Sequence, residues 1–451
     1  MIATTPSPGR KIFPPPAQIA ALGQYLSDEE IEAICRRLGH VWRQRLLGPG
    51  TTVRSMVYRG LHPDKSIRAA LADLAAGDDG LTRPPSDASW CEARDRLPPD
   101  LWTELLRASV TRLQRLAGPH HLAFGRPLYI ADGTTVSMPD TADLAQAFGY
   151  ADNRHGRSRF PVARVTFITR VGVEAAVAYR LGPYRQGEDT QFRALWDALP
   201  AGAICLVDKH LTSFYNLAKL SGRGVDVLGP LYARRDPERL ILQGRRLGRD
   251  QWLVPLDLCP QLRQKYSDPT LPDRFWVRLI RIRFRHGRKQ RTLWLVTTLL
   301  DPSPYPPAVL GDLYRDRWGI ETRIGSLKTT LQMNVLRSKT AAHVESEVAA
   351  TVLAHNLVWT LMHQAAQGNG VPVDRISFAG AIKAALTFSA ALRHAAPADR
   401  PAVYRRLLAT IARHRNPLRP GRVEPRLVKR DPVRYCFLTI PRDKARQKCL
   451  S

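Results

Sequence analysis

The sequence predicts a mixed-sheet α/β domain preceded by a helical block, and three observations carry that prediction. Two short apolar runs, Leu128-Tyr-Ile-Ala-Asp132 and Ile204-Cys-Leu-Val-Asp208, each stop on a carboxylate, as strands buried on both faces do. Between them, Val162–Thr169 and Glu174–Leu181 flank Arg170-Val-Gly172, the pattern of a hairpin. Helical and strand patterns then alternate: a helix over Glu188–Leu199, the strand ending at Asp208, a helix capped by Thr212-Ser213 and running through Leu220, and a strand over Val225–Leu228. Three antiparallel strands followed by alternating helices and strands is the layout of a ribonuclease H-like mixed sheet.

The flanking elements follow in order. Residues 1–24, beginning MIATTPSPGRKIFPPP, lack an apolar signal core and are expected to be a disordered basic tail. Residues 25–122 read as a small helical domain. Ser27-Asp-Glu-Glu30 is a capping box, Ser86-Asp-Ala-Ser precedes WCEARDRL, and Pro98-Pro99-Asp100 opens LWTELLRASVTRLQRL. The mixed-sheet domain is expected over 123–365, interrupted by a β-rich insertion at 231–298 that carries 16 Lys/Arg against 6 Asp/Glu. A second long helix is expected from His343 to Gln367, and 366–451 form a C-terminal helical and basic region. Its last part, 401–451, holds 14 Lys/Arg against 3 Asp/Glu, and Pro417, Pro420, Pro425 and Pro432 break it into extended pieces. That suits a tail that tracks DNA, or one that solubilises the chain.

Charge narrows the function. The chain has 451 residues, with 68 Lys and Arg against 40 Asp and Glu, a formal net charge of +28. Such an excess points to a polyanion, and nucleic acid is the usual one. No apolar run is long enough to span a bilayer and no lipidation motif is present, so no membrane partner is expected. The six cysteines are scattered without a C-x-x-C pair, which argues against a disulfide scaffold or a zinc finger. A reducing, cytoplasmic, nucleoid-associated setting fits.

Chemistry concentrates in one helix. Tyr314, Arg317, Glu321 and Lys328 stand at offsets of three, seven and fourteen, so at about 100° per residue they fall on a stripe about 60° wide. Leu313, Ile320, Ile324, Leu327 and Leu331 fill the adjoining arc. A carboxylate between two cations and a phenol suits gripping a phosphodiester beside a metal ion, although Arg317 and Glu321 also form an ordinary i,i+4 pair. In the insertion, Arg281, Arg283 and Arg285 share one strand face, about 6.7 Å apart, while Trp276, Ile280, Ile282 and Phe284 share the other. The arginines suit phosphate contact, or they protect an edge strand from aggregation.

Asp132 and Asp208 each suit a turn when taken alone. On neighbouring strands of one sheet they would come together, and Glu321 on a later helix can approach them. Three close carboxylates stay ionised when they share divalent metal. Oxygen-only ligands suit Mg2+, with Mn2+ in its place, and two such ions clamp the attacking and leaving oxygens of a phosphoryl displacement.

Tyr314-x2-Arg317-x3-Glu321-x6-Lys328, with Leu313-Tyr-Arg-Asp-Arg-Trp-Gly-Ile-Glu321 around it, matches the Tyr-Arg-Glu-Lys signature of the insertion-sequence-four family of bacterial transposases. Asp132-Gly-Thr, Asp208 with Ser213 and Tyr215, and Ala93-Arg94-Asp-Arg-Leu97 resemble that family too, so the likeness spans about 25–365. Lys209-His210 departs from the pattern, where an Arg and a small or aromatic residue are expected. The resemblance implies a DDE transposase in which Asp132, Asp208 and Glu321 hold two Mg2+ ions and Tyr314, Arg317 and Lys328 grip the DNA backbone. It implies a homodimeric synaptic complex on the inverted-repeat ends, nicking, hairpin formation and resolution, and strand transfer to target DNA. It also implies a tryptophan in the insertion that receives a flipped base. Trp294 is the best match, ahead of Trp252 and Trp276, and is equally a core residue of a strand. The alternatives are a metal-dependent nuclease on the same fold and a catalytically silent DNA-binding protein.

Overall fold

The computed structural model describes residues 17–418, apart from 44, 63–65, 76–84, 119–121, 154–155 and 287–288, together with 447; for some residues, among them 285 and 318–324, it describes the backbone alone. Met1–Arg415 cluster as one compact unit and Asn416–Ser451 as a second.

Described structure starts inside the stretch expected as a tail, with a 3-10 helix over Ala17–Tyr25 whose Leu22 is buried; residues 1–16 lie outside the described residues. Helix α1 (Asp28–Arg37) is capped as its sequence foretells, the Ser27 hydroxyl accepting from the Glu30 amide at 3.2 Å. Then come α2 (Pro49–Leu61), α3 (Ile67–Ala75), α4 (Asp87–Asp95) and α5 (Asp100–Ala117). These helices, expected as a block of their own, share one apolar core with the last helices and with one face of the sheet.

The sheet opens with β1 (Leu122–Ala123) and β2 (Arg126–Ser137), followed by α6 (Ala142–Phe148), β3 (Tyr150–Asn153), β4 (Gly156–Arg170) and β5 (Ala175–Pro183). The β4–β5 hairpin turns where expected, with Gly172 at φ +78° in the left-handed region a glycine tolerates. The helix expected over Glu188–Leu199 stops early. Helix α7 spans Glu188–Arg193, and i→i+3 bonds such as Ala198 N–H to Leu195 C=O tighten the rest into a 3-10 turn. Next are β6 (Ile204–Leu206), α8 (Phe214–Gly222) capped by Ser213, and β7 (Asp226–Pro230).

The insertion supplies α9 (Pro237–Leu242), β8 (Arg245–Gly248), β9 (Gln251–Asp257), α10 (Pro260–Tyr266), β10 (Arg274–His286) and β11 (Lys289–Thr297). Its strands extend the main sheet through β11, which pairs antiparallel with β7. The order is β3-β4-β2-β6-β7-β11-β10-β9-β8, with β1 also on β2 and β5 also on β4. The β2–β6 and β6–β7 pairs are parallel; β2–β4 and β4–β5 are antiparallel. This is the ribonuclease H-like mixed sheet the sequence implies.

After the insertion come α11 (Pro307–Gly325), a π turn over Ser326–Thr330, α12 (Ala341–Asn369), α13 (Phe378–His394) and α14 (Arg400–Arg413). The stretch 401–413, expected as extended, is helical. Pro401 sits in the first turn of α14, where its missing N–H costs nothing, and the prolines that break the chain all come later. Pro420, Pro425 and Pro432 lie outside the described residues.

Helices α7 and α8 cover one face of the sheet, packing on Ala131, Cys205 and Val207. Helix α11 covers the other face through Leu310 and Tyr314, which pack with Ile130, Leu206 and Ile280. Helix α12 and the N-terminal helices cover that same face further along, at Val136, Val165 and Phe167. Asn356 fastens these layers. Its side chain bonds both backbone groups of Ala176 on β5, at 3.0 and 3.1 Å, and donates to the Ser109 hydroxyl of α5 at 3.1 Å.

Candidate active site

Register brings the two aspartates together. Parallel pairing of β2 with β6 matches Leu128 to Ile204, Tyr129 to Cys205 and Ile130 to Leu206. The offset is constant, and continuing it two residues sets Asp132 level with Asp208 on strands about 4.8 Å apart. By the alternation of strands, both positions share the face of Ile130 and Leu206, which is the face under α11. Asp208 stands two residues past the end of β6, where its Oδ1 accepts the His210 amide at 3.1 Å and closes a turn. His210, part of the departure from the family pattern, thus leaves the carboxylate anchored.

Helix α11 supplies the third partner's place. Leu310, Tyr314 and Arg317 are buried along one stripe, at 0, 7 and 5% exposure. Glu321 lies four residues past Arg317 on that stripe, about 10 Å along the axis from Tyr314. Its side chain is outside the described residues. The Arg317 guanidinium rests 5.4 Å from the centre of the Tyr314 ring. Lys328 falls in the π turn rather than on a continuous α-helix. The extra residue in a π turn takes it off the phase an ideal wheel assigns, and it is exposed.

Two staples fix where α11 starts. Arg278 of β10 is fully buried; its Nη1 donates to the carbonyls of Tyr305, Asp301 and Leu299 at 2.8, 3.3 and 3.5 Å, and its Nε and Nη2 donate to Gln251 Oε1. Burial pulls its pKa down to about 10, which leaves it charged at neutral pH. Arg126 of β2 joins the Tyr305 hydroxyl, the Gly202 and Ala203 carbonyls and Asp226. Gly311 lies on Ile282, whose Cδ1 would sit 2.9 Å from any Cβ there. So the even face of β10 is the bed of α11.

The odd face of β10 carries the expected ladder. Arg281 Nη2 and Arg283 Nη2 both reach Asp250 Oδ1, at 2.6 and 3.5 Å, and these arginines hold the Asp250 carboxyl below its usual range. Arg285 has no described side chain. Trp294 is half-buried beside Trp252, ring centres 5.8 Å apart, with the Arg281 guanidinium 5.5 and 5.3 Å from the two rings. Trp276 is 41% exposed. Trp294 therefore sits where core meets surface, with a cation already over its ring.

Sequence reasoning missed Glu188. This first residue of α7 lies against Gly133, where a Cβ would come within 2.6 Å of Glu188 Oε1. Burial raises its pKa, and so does Asp208; Arg164, His210 and Arg317 oppose the rise. One carboxylate thus feels the end of β6 and helix α11 together. Nothing in the pattern of Gln186-Gly-Glu-Asp marks it, because the signal is contact with a glycine far away in sequence.

The donor set is oxygen-only, which suits a hard divalent cation, and the space a Cβ would fill at Gly133, on the face under α7, is taken by the Glu188 carboxylate. Among the described residues, no three His, Cys, Asp or Glu side chains converge on one point; Glu321 is not in that set. Among them too, no helix is long and apolar enough to cross a membrane.

The family match falls on the residues of this geometry. The model of the family described as "Transposase DDE domain" matches residues 123–357, which is 235 of the 451 residues. The chain is 27% identical over 429 residues to the "Transposase InsG for insertion sequence element IS4" of Escherichia coli (strain K12), covering 92% of this chain and 93% of that relative. A solved structure, the "Cryo-EM structure of piggyBac transposase synaptic complex with hairpin DNA", is similar at a TM-score of 0.44 and 10% identity, over 93% of this chain and 90% of that one. A sheet that aligns two aspartates beneath a Tyr-Arg-Glu helix, with the family match laid over the same residues, places the chain among the DDE transposases of the insertion-sequence-four family, enzymes of DNA strand cleavage and transfer.

Proposed function

We propose that this enzyme moves an insertion sequence by a cut-and-paste route, with Asp132, Asp208 and Glu321 as its acidic triad. The alignment of Asp132 with Asp208 under the helix that bears Glu321 is the observation that carries this reading. The family implies a divalent metal. The three carboxylates would hold two Mg2+ ions, with Mn2+ able to replace them, and those ions would supply Lewis-acid activation of water and of the scissile phosphate. The chain's own residues do the rest. Buried Arg317 and Tyr314, with exposed Lys328, fix the DNA backbone so that the phosphate lies in line. Arg283 and Arg281, balanced by Asp250, offer phosphate contacts from the insertion, and Arg285 continues that face. Trp294 is the platform proposed for a base displaced near the cut.

The reaction is a series of phosphoryl transfers in one pocket: nicking, attack of the freed 3′-hydroxyl on the opposite strand to form a hairpin, reopening by water, and joining to target DNA. The enzyme works as a homodimer on paired inverted-repeat ends of double-stranded DNA. The expected division into a helical region at 25–122, a catalytic domain at 123–365 with its insertion at 231–298, and a basic C-terminal region at 366–451 is proposed to reflect end binding, chemistry and DNA tracking.

One assay separates the alternatives. Purified protein is incubated with a labelled element end, a target plasmid and Mg2+. Joined product is the expected result. Cleavage without joining would leave a nuclease, and binding with neither would leave a silent DNA-binding protein. Asp208→Asn should take cleavage to background while end binding survives.

A further inference from the structure

We propose that Glu188 is a fourth carboxylate of the active pocket, a positioning residue that stands behind Asp132-Gly133 and draws divalent cations into the site through bound water. The inference rests on the acidic-triad reading and deepens it. Three observations carry it. First, Glu188 makes no hydrogen bond or ion pair with any described residue, although it is half-buried and its neighbours Asp189 and Gln191 are fully engaged. A half-buried carboxylate so placed keeps its acceptor capacity for water or an ion. Second, its place is held firmly. Gln191, fully buried, accepts from the Thr166 hydroxyl at 2.8 Å and donates to the Arg164 carbonyl at 3.2 Å, and Asp189 pairs with Arg193 and Asn216. Helix α7 cannot swing Glu188 away without breaking these bonds.

Third, residue 133 makes the room. Glu188 Oε1 occupies the space of a side chain at that position, so the glycine of Asp132-Gly-Thr, inside strand β2, is needed for volume. The same carboxylate feels Asp208 and Arg317, which brackets it between the strand ends and the catalytic helix. Since Asp132, Asp208 and Glu188 do not form a closed cage among themselves, Glu188 acts one shell out, where a water links it to an ion. Partners of that kind typically govern metal affinity by about 10–100-fold.

The test uses the full chain bound to a duplex, titrated with Mn2+ by calorimetry, with melting temperature measured in parallel. Glu188→Gln keeps the shape and removes the charge. It should weaken Mn2+ binding about tenfold or more while the melting temperature holds. Gly133→Ala pushes the carboxylate aside from the other direction and should show the same defect, and the double variant should be no worse than either single one. Should Glu188→Gln lose stability, Gly133→Ala decides on the same readout. Wild-type Mn2+ affinity in both single variants overturns the proposal. Asp208→Asn tells which idea has failed: if it loses Mn2+ while Glu188→Gln keeps it, only the role of Glu188 falls. If neither loses it, or if the wild-type chain takes up no Mn2+, the acidic-triad reading falls as well.

Discussion

Arg317 and Lys328 belong to one sequence signature yet differ physically, and their variants should separate accordingly. Arg317 is buried to 5% exposure against Tyr314, so Arg317→Ala should weaken end binding, lower the slope of log affinity against log salt by about 1, and also lower the melting temperature. Lys328 is exposed in the π turn. Lys328→Ala should change the salt slope by about the same amount with no loss of stability. Binding isotherms at three or four salt concentrations, with melting curves, check both. A second single-residue effect is unrelated to catalysis. Burial holds the His355 imidazole at about 4 against an ordinary 6.5, and its Nε2 accepts from the Trp359 indole at 3.0 Å, so the ring is neutral in the fold. A depressed folded value means the unfolded chain binds the extra proton. The stability is complete above about pH 6.5 and is lost as pH falls toward 4, by about 2 kcal/mol between pH 7 and 5. His355→Gln keeps an acceptor without titrating and should flatten that part of the stability–pH curve. At this scale Tyr314, Arg317 and Glu321 could be read in the sequence from helical phase, and the aspartates from the apolar runs they end; Lys328 leaves that phase in the π turn. Glu188 could not, because its meaning lies in a contact with Gly133, 55 positions away (188 minus 133).

Among the elements, α11 matters most, and its seat is β10. Even positions of that strand, Arg278, Ile280 and Ile282, hold the helix and its approach; odd positions, Arg281 and Arg283, face the other way. The sequence showed this alternation and drew attention to the arginines. It did not show that Arg278 is interior, since an arginine on an otherwise apolar face reads as a break in the pattern. Arg278→Met should leave the carbonyls of Leu299, Asp301 and Tyr305 without that donor and cost about 3 kcal/mol. Cleavage should fall more than DNA affinity, because the fault displaces the helix carrying Glu321 and not the cationic surface. Chemical denaturation and single-turnover cleavage at saturating protein measure the two effects. Element boundaries were less legible where backbone detail decides them. The 3-10 end of α7 and the π turn after α11 both arise from hydrogen-bond shifts of one residue, which hydrophobic periodicity does not register.

Across the whole molecule, the N-terminal helices and the catalytic sheet share a core, and Asn356 ties α12, α5 and β5 at one point. Unfolding should therefore show a single transition for both regions, by far-UV dichroism and by tryptophan fluorescence alike. Asn356→Ala should lower it by about 2–3 kcal/mol without splitting it. The sequence by itself determined the class of fold and the basic character that calls for a polyanion, and it offered the three carboxylates proposed as the triad, because strand alternation, helical phase and charge are local and additive. Only the tertiary structure decided which strands adjoin, that β2 and β6 share a register aligning the two aspartates, and that Gly133 leaves space for the Glu188 side chain. Those facts depend on pairings between residues far apart along the chain, whose free energy exists only once the sheet has closed around them.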